Sequence, residues 1–209
     1  IGVLGISWFL EASKWDALLA VQSSGWLQAI FEQYGMKLRL PFLTIYGVLQ
    51  PILPAAIMEP SIAFWKILGI IRSSGWVLLF PPLIYSLVFA IKNKGFDRTK
   101  WLVMWSFVFF WIVLSSLRAG GDLWDNPRYR LTLFVPLVIV VANALVFAIK
   151  NKDHWLWRIY AAEGIYLLFF LQWYISRYTN IFGKLDFSLM VGIIVLIIGV
   201  IFGTGILVD

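Results

Sequence analysis

The chain has 209 residues, 61% of them hydrophobic and only 13% charged, with a mean hydropathy of +0.86, shares that exclude a soluble domain and identify an integral membrane protein. A net charge of +6 reads as loop charge facing anionic headgroups, and the twelve Trp and eight Tyr fit aromatic belts at the two interfaces, so a nucleic-acid partner is not expected. With no cysteine and one histidine, His154, disulfides, thiolate metal sites and His-rich metal sites are excluded, and no cofactor is expected.

The chain begins at Ile1 without a methionine and reads as part of a longer polypeptide. Residues 1–10 are too short to span a core that needs roughly 20 apolar residues, and read as the end of a helix begun upstream. From Glu11 to Leu40, apolar residues alternate with Lys14, Asp16, Glu32, Lys37 and Arg39, with Trp15 and Trp26 on an amphipathic pattern, as in helices lying in the interface. Pro41 to Met58 is long enough for a span, but Gly47, Pro51 and Pro54 interrupt it. A broken or re-entrant segment is expected, its freed backbone groups facing protein or water. Ser61 to Arg72 reads as a short amphipathic helix.

Five spanning helices follow: Trp76 to Ile91, Trp101 to Leu117, Leu131 to Ile149, Arg158 to Ile175 and Phe187 to Leu207. The expected fold is therefore an all-α polytopic transmembrane bundle of about five full spans plus interfacial and broken helices. It divides into residues 1–75, with the outer-face elements, and residues 76–209, the five-helix region. The 92–100 and 150–158 loops carry seven basic residues, against five on the facing loops (Arg118, Arg128, Arg130, Arg177, Lys184), which places the first set in the cytoplasm. The heptapeptide VFAIKNK occurs twice, at Val88 to Lys94 and Val146 to Lys152, each time where a helix meets its basic loop. It records either a duplicated hairpin or two helices independently solving the same exit. SSGW also recurs, at Ser23 and at Ser73.

Charge, turn chemistry and aromatics converge in Arg118 to Pro136, RAGGDLWDNPRYRLTLFVP. Asn126 and Pro127 read as an N-cap followed by the first helical position. Arg128 and Arg130 then fall where a helix dipole favours anions. Either they snorkel to headgroups, or a phosphate occupies the helix start. Both can meet one phosphate only if the helix start is irregular, because residues two apart on a helix point in nearly opposite directions. Pro136 sits a full turn inside its helix, cannot donate to the Thr132 carbonyl and should kink the helix there. Asp122 and Asp125 follow a Gly-Gly turn and either pair with the arginines, Arg118 included, or do acid/base work. Glu163 reads as a structural residue near enough to the interface to be wetted. There is no Walker loop, nucleophile elbow or zinc-helix motif.

The segment NPRYRLTLFVPLVIVVANAL resembles the RYRLP-type stretch that opens a late helix in bacterial membrane glycosyltransferases of the C superfamily, the group with protein mannosyltransferase-like and aminoarabinose transferase-like members. YGMKLRLPFLTIYGVLQPILPAA, Tyr34 to Ala56, is similar to their outer-face region, and the present chain would be the C-terminal part of such an enzyme. Thr132 stands where that motif usually has proline. The resemblance implies a plasma-membrane or inner-membrane protein that transfers sugar from a polyprenyl-phosphate carrier on the extracytoplasmic face. It also implies that Arg128, Tyr129 and Arg130 help hold the carrier phosphate or shape its pocket; independently of the resemblance, Lys37 or Arg39 from the earlier outer region reads as a third cation for such an anion. The catalytic base of that family lies in an early outer loop that no segment here matches. Two other readings stay open: a non-catalytic membrane subunit with partner subunits and lipid contacts, and a transporter, which the repeat and the broken segment favour and the few charges at mid-membrane oppose.

Overall fold

The computed structural model describes residues 32, 35, 39–49, 52–58, 60–119, 130–179, 181 and 183–208, and all of the regular structure among them is helical. There are seven helices in these residues: α1 Arg39–Leu49, α2 Leu53–Met58, α3 Ala63–Lys92, α4 Gly95–Ala119, α5 Phe134–Asn151, α6 His154–Thr179 and α7 Phe187–Val208. Four of them, α3, α4 through Leu117, α5 and α7, are long and apolar enough to cross a membrane. The fifth long helix, α6, is less apolar because it carries Arg158, Glu163, Gln172 and Arg177 among its 26 residues. Large side chains that would be misplaced in water, such as Val195, Leu196 and Val200 on α7, are exposed and face the hydrocarbon. The chain is an all-α polytopic membrane protein.

The expected interruption between Pro41 and Met58 is present, since α1 ends at Leu49 and α2 begins at Leu53. Other boundaries moved. Ser61 to Arg72 is not a separate helix: α3 runs unbroken for 30 residues, about 45 Å, through Ser73, Ser74 and Gly75, so the division at 75/76 falls inside it. The reason is local satisfaction plus packing. The buried Ser73 hydroxyl donates to the Gly69 carbonyl at 2.7 Å, and Gly69 leaves room for α2, its notional Cβ lying 3.7 Å from that of Ala56. The expected 92–100 and 150–158 loops shrink to turns at 93–94 and 152–153, their basic residues standing on helix ends.

The chain forms two compact units. The first holds α1, α4 from Val108 and residues 130–134. Here α4 buries Val108, Ile112, Ser115 and Ser116 on one face, and each serine hydroxyl bonds the carbonyl four residues back at 2.8 Å, so burial strands neither hydroxyl.

The second unit holds α2, α3, the start of α4, and α5 to α7. Helices α6 and α7 form an antiparallel hairpin, with Trp155 stacked on Phe202 at 6.2 Å near one end and Trp173 against Phe187 at 6.0 Å near the other. Helix α3 lies antiparallel to α6 and to α4: the Trp105 indole donates to the Leu83 carbonyl at 3.0 Å, and Phe89 meets Trp101 edge to face at 5.2 Å. A core forms at the basic end from Tyr85, Phe89, Ala144, Ala148, Leu156 and Ile159. Between lipid-embedded helices the drive is packing and hydrogen bonding, so Ala144 and Ala148, fully buried and four apart, serve by letting α5 approach closely.

The two copies of VFAIKNK meet in this core, with Phe89 and Phe147 ring to ring at 5.1 Å. Each ends alike: the Asn93 and Asn151 amides donate to the Phe89 and Phe147 carbonyls at 2.8 Å. Their exits then differ. After the first copy, Gly95 takes the left-handed backbone (φ 59°); after the second, the repeat's own Lys152 does (φ 50°). Asp153 accounts for the shift, because its carboxylate caps α6 by accepting from the Trp155 N–H at 3.1 Å. The left-handed residue must therefore come earlier, and the Asp153 and Lys152 N–H groups close the end of α5 on the carbonyls of Ala148 (2.9 Å) and Ile149 (3.3 Å).

Candidate functional site

Of the cations expected to hold an anion, Arg130 is the one whose side chain the structure describes. It is 4% exposed. Arg130 and Leu131 are helical, Thr132 and Leu133 form a turn closed by the Leu133 N–H on the Arg130 carbonyl at 3.4 Å, and α5 begins at Phe134. The kink expected at Thr132 is instead an interruption, at the residue whose carbonyl Pro136 cannot satisfy, and α5 starts three residues later than expected, with Pro136 in its first turn, where a missing N–H loses nothing. The interruption follows Arg130 and puts it outside the first turn of α5; the irregular start expected at Pro127 lies outside the described residues. Burial alone pulls the guanidinium down to about 9, which leaves it cationic at neutral pH. A headgroup-snorkelling arginine would be exposed; this one is not.

Arg39 opens α1 and Arg118 lies in the last turn of α4, where a cation suits the helix dipole; their side chains lie outside the described residues. Lys37, Asp122, Asp125, Arg128 and Tyr129 lie outside the described residues altogether, as does the expected helix start at Asn126 and Pro127. The interfacial helices expected before Arg39 lie almost wholly outside them too.

Two polar features were not legible from the sequence. Asp153, expected only as part of a basic loop, gathers Lys92, the Tyr85 hydroxyl (2.7 Å) and the Trp155 N–H on one carboxylate. Partial burial would raise that carboxyl, but the hydrogen bonds from Lys92 and Tyr85 outweigh it and hold it below its ordinary value. The one available signal was its place directly before the first turn of α6, typical of an N-cap. Glu163, expected to be wetted, is 5% exposed, and its Oε1 has no hydrogen-bond partner in the structure.

Among the described residues no group of three or more His, Cys, Asp or Glu could hold a metal ion. No family model, curated protein or solved structure matches the chain.

Proposed function

We propose that this chain is the C-terminal region of a membrane glycosyltransferase that uses a polyprenyl-phosphate sugar on the extracytoplasmic face, with Arg128, Tyr129 and Arg130 holding the carrier phosphate and Lys37 and Arg39 adding charge. The observation that supports the reading is the burial of Arg130 at an interrupted helix start. Its planar fork of N–H donors suits two oxygens of one phosphate, and a desolvated guanidinium interacts with such an anion far more strongly than a hydrated one does. In the reaction, a base outside this chain takes the proton of an acceptor hydroxyl, whose oxygen attacks the anomeric carbon. The bond from that carbon to the phosphate oxygen breaks, and the arginines neutralise the charge left on the departing polyprenyl phosphate. On this reading the basic turns at 93–94 and 152–153 face the cytoplasm.

A second reading, a non-catalytic membrane subunit, draws on α7, whose apolar window is only 11% buried and whose Gly192, Gly199 and Gly203 present no neighbour to a notional Cβ. The two separate on binding. In the full-length protein with a polyprenyl-phosphate sugar, Arg128→Gln and Arg130→Gln should each weaken carrier binding about ten- to a hundredfold and lower transfer, while Arg177→Gln in the last turn of α6 leaves both intact. Equal retention by all three variants would refute the phosphate site.

A further inference from the structure

The proposed transferase site makes no use of the duplicated helix ends, which the fold brings side by side. Ring contact between Phe89 and Phe147 at 5.1 Å and the matching asparagine caps make the two copies emerge together, so Lys92 and Lys94 leave α3 at the same end of the unit as Lys150 and Lys152 leave α5. Three other basic groups at that end are engaged. Lys92 is held by Asp153. Arg158 turns to the Ile201 carbonyl and the Thr204 hydroxyl, both at 3.4 Å, and Lys100 lies over the Trp101 ring at 5.0 Å. On the two repeat copies that leaves Lys94, Lys150 and Lys152, all exposed and with no ion pair among the described residues; Arg98, also exposed, stands on α4 outside the repeat.

Three uncompensated ammonium groups would also suit a free anion, but the surface beneath them is apolar. Ile91 and Ile149, each one residue before a repeated lysine, are 51% and 70% exposed, and Phe96 and Trp157, close after the two turns, are 83% and 68% exposed. A cationic rim above an exposed aliphatic and aromatic wall matches a molecule with a phosphate at one end and hydrocarbon at the other.

We propose that the paired ends of α3 and α5 form a binding site for an anionic phospholipid, its phosphate held by Lys94, Lys150 and Lys152 and its acyl chains lying along Ile91 and Ile149. The repeat then has a physical meaning: two copies of one helix end supply a charge density that one copy could not. Because each lysine near a membrane surface adds only a few-fold in affinity, the site needs several of them and is independent of the phosphate site proposed at Arg130.

The test uses the full-length protein in a zwitterionic detergent, with native mass spectrometry and unfolding temperature read against added phosphatidylglycerol, phosphatidylcholine and inorganic phosphate. Phosphatidylglycerol should be retained and should raise the unfolding temperature above the value with phosphatidylcholine. The triple variant Lys94→Gln, Lys150→Gln, Lys152→Gln should bind it about a hundredfold more weakly, at roughly fivefold per lysine. The double variant Arg177→Gln, Lys184→Gln, two exposed cations outside the site, should behave as wild type. Retention of phosphatidylglycerol by the triple variant at wild-type affinity overturns the proposal. So does an equal response to phosphatidylcholine, or reproduction of the shift by inorganic phosphate, which would make the site one for a free anion.

Discussion

Tyr160 on α6 donates its hydroxyl to the Leu78 carbonyl on α3 at 3.2 Å, and Leu78 is the residue whose carbonyl Pro82, lacking an N–H, cannot satisfy. The prolines at 81 and 82 are fully buried inside a spanning helix, where an orphan carbonyl has no water to turn to. A side chain from the neighbouring helix fills the gap and joins α3 to α6 in one bond.

Tyr160→Phe should therefore destabilise the protein by about 1 kcal/mol in detergent unfolding, the cost of leaving the Leu78 carbonyl without its partner where water is excluded. In a Pro82→Ala background the helical N–H returns and the same substitution should have little effect. If Tyr160→Phe costs the same in both backgrounds, the bond does not serve the proline break.

Asp153 gathers three groups from two helices, α3 and α6, on one carboxylate, and its depressed pKa gives the latch a pH dependence. A group whose folded pKa lies below its unfolded value of about 4 contributes stability above that value and loses it as pH falls through the folded pKa. Unfolding followed from pH 7 to pH 3 should show wild type more stable than Asp153→Asn by about 1 kcal/mol at neutral pH, a modest figure because the Lys92 side of the pair is exposed. The gap should narrow toward pH 3; a gap that stays constant across the range would show that the carboxylate charge is not what holds the turn.

Glu163 buries a carboxyl oxygen that finds no partner. Replacing it with a leucine of similar volume should raise the unfolding temperature, by the equivalent of about 1 to 3 kcal/mol, since an unmet polar group leaves the interior. A lowered unfolding temperature would mean that the carboxyl is satisfied in the native membrane.

The positive-inside reading makes a separate prediction. With the cytoplasmic turns at 93–94 and 152–153, a cysteine introduced at Lys94 should resist an impermeant maleimide applied to intact cells and react in inside-out vesicles. Labelling from outside would invert the topology and place Arg130 on the cytoplasmic face.

What could be read in advance depended on whether the cause was local. Pro51 and Pro54 announced the break between α1 and α2, and Pro136 announced the interruption at Thr132, because a missing N–H acts on its own helix. The Ser-Ser-Gly run at 73–75 looked like a boundary and is not one, since Gly69 packs against α2 and the Ser73 hydroxyl finds a carbonyl. The two VFAIKNK copies were visible as a repeat, yet their different exits depend on Gly95 and Asp153, the residues that follow. At the candidate site the segment around Arg130 stood out by composition. Its burial did not, and neither did that of Glu163, because burial depends on tertiary packing that the local sequence pattern does not encode.

The central claim, that Arg130 belongs to a pocket for a lipid-linked phosphate, is tested most directly by photolabelling. The full-length protein in native membranes would be irradiated with a polyprenyl phosphate carrying a diazirine beside the phosphate, and the adducts mapped by mass spectrometry. Adducts should fall on residues 128–134, disappear when unlabelled polyprenyl phosphate competes, and drop at least tenfold in Arg130→Gln. Adducts confined to the turns at 93–94 and 152–153, or undiminished by Arg130→Gln, would contradict it.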